Sequence, residues 1–350
     1  MQYGFSIKRK CYLLSVLLMT VWLTGCVQEE FESTPSPAGN GIRFTLTVPD
    51  VNLPSVSSRT MTGTGTAKKE DEIETVDILV FDMSKTPAVF LEWGSATGVT
   101  QDLADNSTVS FSAVLSPTTA STCIVVVANK ELDNIVSGFT KGATTKVEAM
   151  EKMLHTQTGK WLADGSTTGG YTRIPMYGEK VISKITPSMD PITGINMKRM
   201  LARIDIRNNS VTSNFTVEEV YLANYNTTGY IAPAWNTNGQ VTEPAPDTPV
   251  LPTGSGKMTE EGDAIRYSVN GNTPYDGEIY TFESLAAEDA GGAGADGEAS
   301  RKDATCLIVK GRNGTGESTF YRVDFTKNGN TGEQVEYLPL KRNHKYIITI

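Results

Sequence analysis

Between Gly41 and Pro49 apolar and polar residues alternate without a break, with Ile42, Phe44, Leu46 and Val48 on one side and Arg43, Thr45 and Thr47 on the other. A period of two marks a strand with one face in a core and one outside, and a helix cannot satisfy it. Similar short runs recur down the chain. Strands are expected within 73–81, 109–115, 123–128, 173–176 and 197–206, then within 215–224, 279–283, 306–310, 320–325 and 345–350. One helix is expected over 146–155, where Val147, Met150, Met153 and Leu154 share a face. Composition agrees: the 350-residue chain is rich in β-branched Thr and holds 32 Gly, which favours strands and turns over helices. The expected fold is mainly all-β, two β-sandwiches in series with one short helix, and the change of domain is placed near residue 208.

The first residues point to a compartment. Lys8, Arg9 and Lys10 precede an almost unbroken apolar run from Cys11 to Trp22, followed by Leu23, Thr24, Gly25 and Cys26. Such a run is too short to cross a bilayer comfortably and suits a signal peptide. Leu-Thr-Gly-Cys resembles the lipobox of bacterial lipoproteins, where Cys26 becomes the first residue and carries acyl chains. An ordinary signal peptide that happens to contain a cysteine is the plainer alternative. Several acyl chains would tie the precursor firmly to the outer membrane. The acidic Glu29, Glu30 and Glu32 resemble a surface-export signal, and 33–41 is expected to be a flexible tether.

Little material is left for catalysis. The formal charge of -9 offers no basic face for a nucleic acid. His155 and His344 are the two histidines, and neither has a second ligand at metal-binding spacing. Gly292, Gly294 and Gly297 satisfy a dinucleotide-binding string, yet no buried strand precedes them and no helix follows. No serine sits in a nucleophile elbow. The chain is therefore expected to be no enzyme, with no catalytic residue, no metal and no cofactor. Of four cysteines, Cys11 leaves with the signal and Cys26 takes lipid. Cys123 and Cys306 read as buried free thiols ahead of a disulfide between them.

An ordered set of strings runs through the chain: the alternating strand, Arg59-Thr60, Glu72-Ile73 leading into Val76 to Phe81, and Cys123 to Asn129. After these come Ile174 to Glu179, Arg199 to Ile206, Tyr280 to Ser284, Tyr321 to Phe325 and Leu340 to Tyr346. In this order they resemble the fimbrillin family of the Bacteroidales, the type V pilins. The resemblance implies transthyretin-like sandwiches and a structural fimbrial subunit that supports cell adhesion. It also implies export as a lipoprotein and cleavage by an Arg-specific surface protease after the first strand. Arg59 and Thr60 match that cleavage position, while Arg43 lies inside the strand and matches poorly. Residues 1–25 would then be the signal peptide, 26–59 the tether and removable first strand, 60–208 the N-terminal sandwich and 209–350 the C-terminal sandwich. Loss of the Ile42, Phe44, Leu46 and Val48 strand would open an apolar groove for a strand of another fimbrial subunit. Family stalk subunits continue past the Arg-Asn-x-x-Tyr strand with a donated extension, whereas this sequence stops at Ile350 inside it, so either the protein is a tip or accessory subunit or the sequence is truncated. The alternative is a permanently anchored surface lipoprotein that binds glycans or anchors a fimbrium, with Trp93, Trp161 and Trp235 offered for sugar stacking.

Overall fold

The computed structural model describes residues 41–49, 69–102, 107–162, 172–208, 214–254, 256–258, 262–269, 275–287, 302–327 and 336–350. In chain order the strands are β1 (Ile42–Thr47), β2 (Val76–Asp82), β3 (Val89–Ser95), β4 (Thr97–Gln101), β5 (Thr108–Ala113), β6 (Thr122–Ala128), β7 (Leu154–Thr156), β8 (Met176–Ile182), β9 (Ile192–Asn196) and β10 (Lys198–Arg199). They continue with β11 (Ala202–Arg207), β12 (Phe215–Ala223), β13 (Tyr225–Asn226), β14 (Thr228–Tyr230), β15 (Lys257–Met258), β16 (Ile265–Ser268), β17 (Tyr275–Thr281), β18 (Cys306–Asn313), β19 (Thr319–Val323) and β20 (Lys345–Thr349). The architecture is all-β, as the alternating runs require.

Two sheets make the first half, ordered β4-β5-β1-β9 and β10-β8-β6-β2-β3. Between them lie Phe44, Leu46, Val109, Phe111, Ile192 and Ile195 from one sheet, with Ile78, Val80, Ile124 and Val126 from the other. The opposite face of the second sheet is covered too. There Leu79, Phe81, Val125 and Val127 pack on Met150 and Met153, on Trp161, and on Ile231, Tyr280 and Phe282 from later in the chain. Burial on both faces explains why β2 and β6 read as unbroken apolar runs, where β1 alternates. Farther on, sheet β17-β11-β20 packs on sheet β16-β12-β18-β19 around Ile204, Val220, Leu222, Ile279, Leu307 and Val309.

Several elements differ from expectation. The stretch 197–206 is not one strand: β10 pairs with β8, while β11 pairs with β17 and β20. Met200 and Leu201 carry the chain from one set of sheets to the other, and both are buried, so hydropathy shows no break there. The strand placed at 173–176 begins only at Met176. The helix spans Lys146–Lys152 and starts at a capping box, in which Thr145 Oγ1 accepts from the Glu148 N–H and Glu148 accepts from the Thr145 N–H. A second helix of four residues, Asp133–Val136, accompanies it. Cys123 and Cys306 are free and buried, and burial pushes both thiols up to about 11.

His155 lies beyond the helix, which ends at Lys152. It sits on β7, paired with β14, with its ring 5.3 Å from Trp161 and 6.3 Å from Phe282. Burial lowers its pKa to about 4, and burial lowers that of His344 as well. A depressed histidine pKa means the unfolded chain takes up the proton first. Stability should therefore be fully present above about pH 6.5 and fall as pH drops toward about 4. His155→Leu should flatten that slope, leaving the part due to His344; urea midpoints followed across this window check it.

Candidate functional site

The first strand is an inner strand. β1 runs antiparallel to β5, matching Ile42 with Ala113, Phe44 with Phe111 and Leu46 with Val109. On its other edge it runs parallel to β9, matching Phe44 with Ile192 and Leu46 with Ile195. The count on β9 is one residue longer across that interval, and Gly194 absorbs the extra residue with a φ of 71°. Ile42, Phe44, Leu46 and Val48 all point into the core, at 4, 1, 0 and 3 % exposure, while Arg43 is exposed. Phe44 lies flat on Phe111, with ring centroids 4.9 Å apart and planes within 6°. Each of these side chains adds on the order of 1.5–3 kcal/mol by leaving water.

The far end of β1 is held by polar contacts. Met197 donates its N–H to Thr47 O at 2.8 Å, and Val48 donates to Ser107 O at 2.7 Å. Arg199 Nη1 donates to Pro49 O at 2.9 Å and to Asn343 Oδ1 at 2.8 Å. Arg199 Nη2 pairs with Asp71. When the description resumes at 69, a short helical turn, Lys69–Asp71, presents Glu70 beside Asp71. Arg203 Nη1 meets Glu70 Oε1 at 2.8 Å, and the Tyr280 hydroxyl donates to Glu70 Oε2 at 2.8 Å. Burial, and then the Glu70 charge, push the Tyr280 phenol well above its ordinary value, so it acts as a neutral donor. Arg203 also makes two bonds to Asp205, at 2.8 and 3.0 Å. A cleft of about 550 Å³ opens beside this end of the strand, lined among others by Pro49, Glu179, Asn196, Lys198 and Asn343.

The turn before β20 completes the junction. Arg342 is fixed by Glu283 at 2.7 Å and by the carbonyls of Ile231 and Tyr230 at 2.8 and 2.9 Å. Asn343 takes a φ of 56°, and the Tyr346 hydroxyl donates to Pro339 O at 2.7 Å. So the strings around Arg199 and Arg342 converge in space, although they lie far apart in the chain.

Of the residues singled out from sequence, Ile42, Phe44, Leu46 and Val48 lie together on the buried face of β1. Cys26, Arg59 and Thr60 fall outside the described residues, as does the Gly292–Gly297 string. The tryptophans offered for sugar stacking are engaged in packing: Trp161 is buried, and Trp93 and Trp235 are half-buried against the same apolar cluster. Among the described residues no group of three or more His, Cys, Asp or Glu is placed to hold a metal ion. Sequence reasoning missed Glu70, Asp71, Tyr280 and Asn343 as a set. The available signal was a pair of arginines, Arg199 and Arg203, enclosing the apolar Met-Leu-Ala.

An embedded first strand, apolar sheets covered on their inner faces and a polar junction define the all-β module. The family model of the major fimbrial subunit protein FimA matches residues 42–246, which is more than half of the chain. The chain belongs to this family: it is a fimbrial structural protein of the cell surface, and the family is not an enzyme family. No curated protein matches the chain. Among solved structures, it is similar to the tip fimbrial protein Mfa3 from Porphyromonas gingivalis, solved with a C-terminal truncation. That pair is 14 % identical with a TM-score of 0.46, over 88 % of this chain and 94 % of the other. A cell adhesion protein from Parabacteroides distasonis is 15 % identical, with a TM-score of 0.46 and 89 % of each chain covered. The fimbrial anchor protein Mfa2 from Porphyromonas gingivalis is 11 % identical, with a TM-score of 0.33 and 81 % of each chain covered.

Phe44→Ala removes the ring stacked on Phe111 and leaves a void between the sheets. It should lower stability by about 3–5 kcal/mol in chemical denaturation.

Proposed function

We propose that this protein is a fimbrial subunit assembled by protease-triggered strand exchange and supporting adhesion. The precursor is lipidated at Cys26 and held at the outer membrane. An Arg-specific surface protease cuts between Arg59 and Thr60, residues 26–59 depart with β1, and a strand from another fimbrial subunit takes the vacated place. The remaining chain is divided into two sandwiches with the boundary at Met200 and Leu201, ahead of β11, which pairs with β17 and β20.

The observation that carries this reading is the position of β1 inside the order β4-β5-β1-β9. Taking out an inner strand leaves two facing rows of unpaired N–H and C=O groups, about 10 Å apart, above four apolar pockets. Only another strand with alternating apolar side chains satisfies both the hydrogen bonds and the pockets. On the retained side of the connection, Glu70 and Asp71 are gripped by Arg203, Tyr280 and Arg199, which supports departure of β1 without disturbance of β2.

Protein recovered from its own cell surface should begin at Thr60. Arg59→Ala should instead yield a lipid-tethered monomer with a blocked Cys26. A normal filament built from that variant would falsify the Arg59 assignment.

A further inference from the structure

A period-two pattern fixes which face of an inserted strand points inward, but it forgives a slip of two residues. In β1 the buried positions are Ile, Phe, Leu and Val, and each accepts another apolar side chain after such a slip. No wall stops the strand either, because the cleft of about 550 Å³ lies open beside Pro49. Something else must mark where the strand ends. Resting on the strand-exchange reading, we propose that Arg199 is the end-stop of the slot: a positioning residue that binds the main-chain carbonyl of the residue following the last buried side chain, and so favours an inserted strand that reaches that residue.

Four observations support this. Arg199 Nη1 holds Pro49 O at 2.9 Å, one residue past Val48, and Met197 N–H holds Thr47 O at 2.8 Å. The guanidinium is anchored independently of β1, by Asp71 and by Asn343 Oδ1, and therefore stays in place when β1 departs. With β1 in place its side chain is only 3 % exposed, so the Pro49 carbonyl fills a position that is closed to water in the complete sheet. Its Nε has no hydrogen-bond partner among the described residues, so loss of Pro49 O deepens an existing deficit. A buried guanidinium short of acceptors draws in a carbonyl at that spot. The contact is to main chain, so it demands no particular residue at that position.

The test uses the full chain cut once after Arg59, with peptides competing against a labelled copy of the β1 sequence. One peptide covers Gly41 to Pro49, one stops at Val48, and one carries Pro49→Gly; all end as amides. The two nine-residue peptides should each bind about tenfold more tightly than the shorter one, the effect of one charge-assisted hydrogen bond. In the Arg199→Lys protein that advantage should shrink to about twofold or less, because an ammonium cannot span the same fork. Equal binding of long and short peptides to the native protein overturns the end-stop, as does an undiminished advantage in Arg199→Lys. Should no peptide enter the cut chain, the strand-exchange reading itself fails and takes the end-stop with it. The native-protein comparison stands even if the variant does not fold.

Discussion

A guanidinium does not give up its proton inside a protein, so a buried arginine must be surrounded by acceptors. Arg199 gathers them from three distant stretches: Pro49 at the end of the first strand, Asp71 at the entry to β2, and Asn343 in the turn before β20. Removing the Asp71 carboxylate would leave the charge unpaired in a dry place, at a cost of several kcal/mol. This requirement draws the beginning, middle and end of the described chain to one point. Arg203 repeats the pattern four residues later with Glu70 and Asp205. Between the two arginines, Met200 and Leu201 turn the chain from one set of sheets to the next.

The sheet containing β2 and β6 has a complementary role. One of its faces depends on β1, through the cluster that includes Phe44 and Leu46. The other depends on the helix Lys146–Lys152, on Trp161, and on Tyr280 and Phe282. Stability is thus spread over two cores that share one sheet, and only one of them contains the first strand. A subunit that gives up β1 keeps the second core whole, so it has a folded platform on which to receive a replacement.

The sequence discloses strands where one face is wet and disguises them where both are dry. β1 is legible from the strict alternation of Ile42, Phe44, Leu46 and Val48. β2 and β6 are legible only as apolar runs. The edge strands β3 and β4 escaped because their residues are half-exposed and lack a clean period, and β16 because its alternation runs over four residues only. The sheet change at Met200 escaped because the turning residues are as apolar as the strands they join. For the candidate site, the apolar half was readable from β1 alone. The polar half was not, since Glu70, Asp71, Tyr280 and Asn343 acquire their meaning only through contacts spanning 128 to 210 residues. Composition cannot separate such carboxylates from solvated ones.

The pairing of β11 with β20 also governs when the molecule can fold. β11 is made early, yet its parallel partner, Lys345–Thr349, leaves the ribosome more than a hundred residues later. Contacts so distant in the chain form slowly, and none of that ladder exists before Lys345–Thr349 have been made. Until then the edge of β11 that awaits β20 is open, and the junction lacks Asn343 as an acceptor for Arg199.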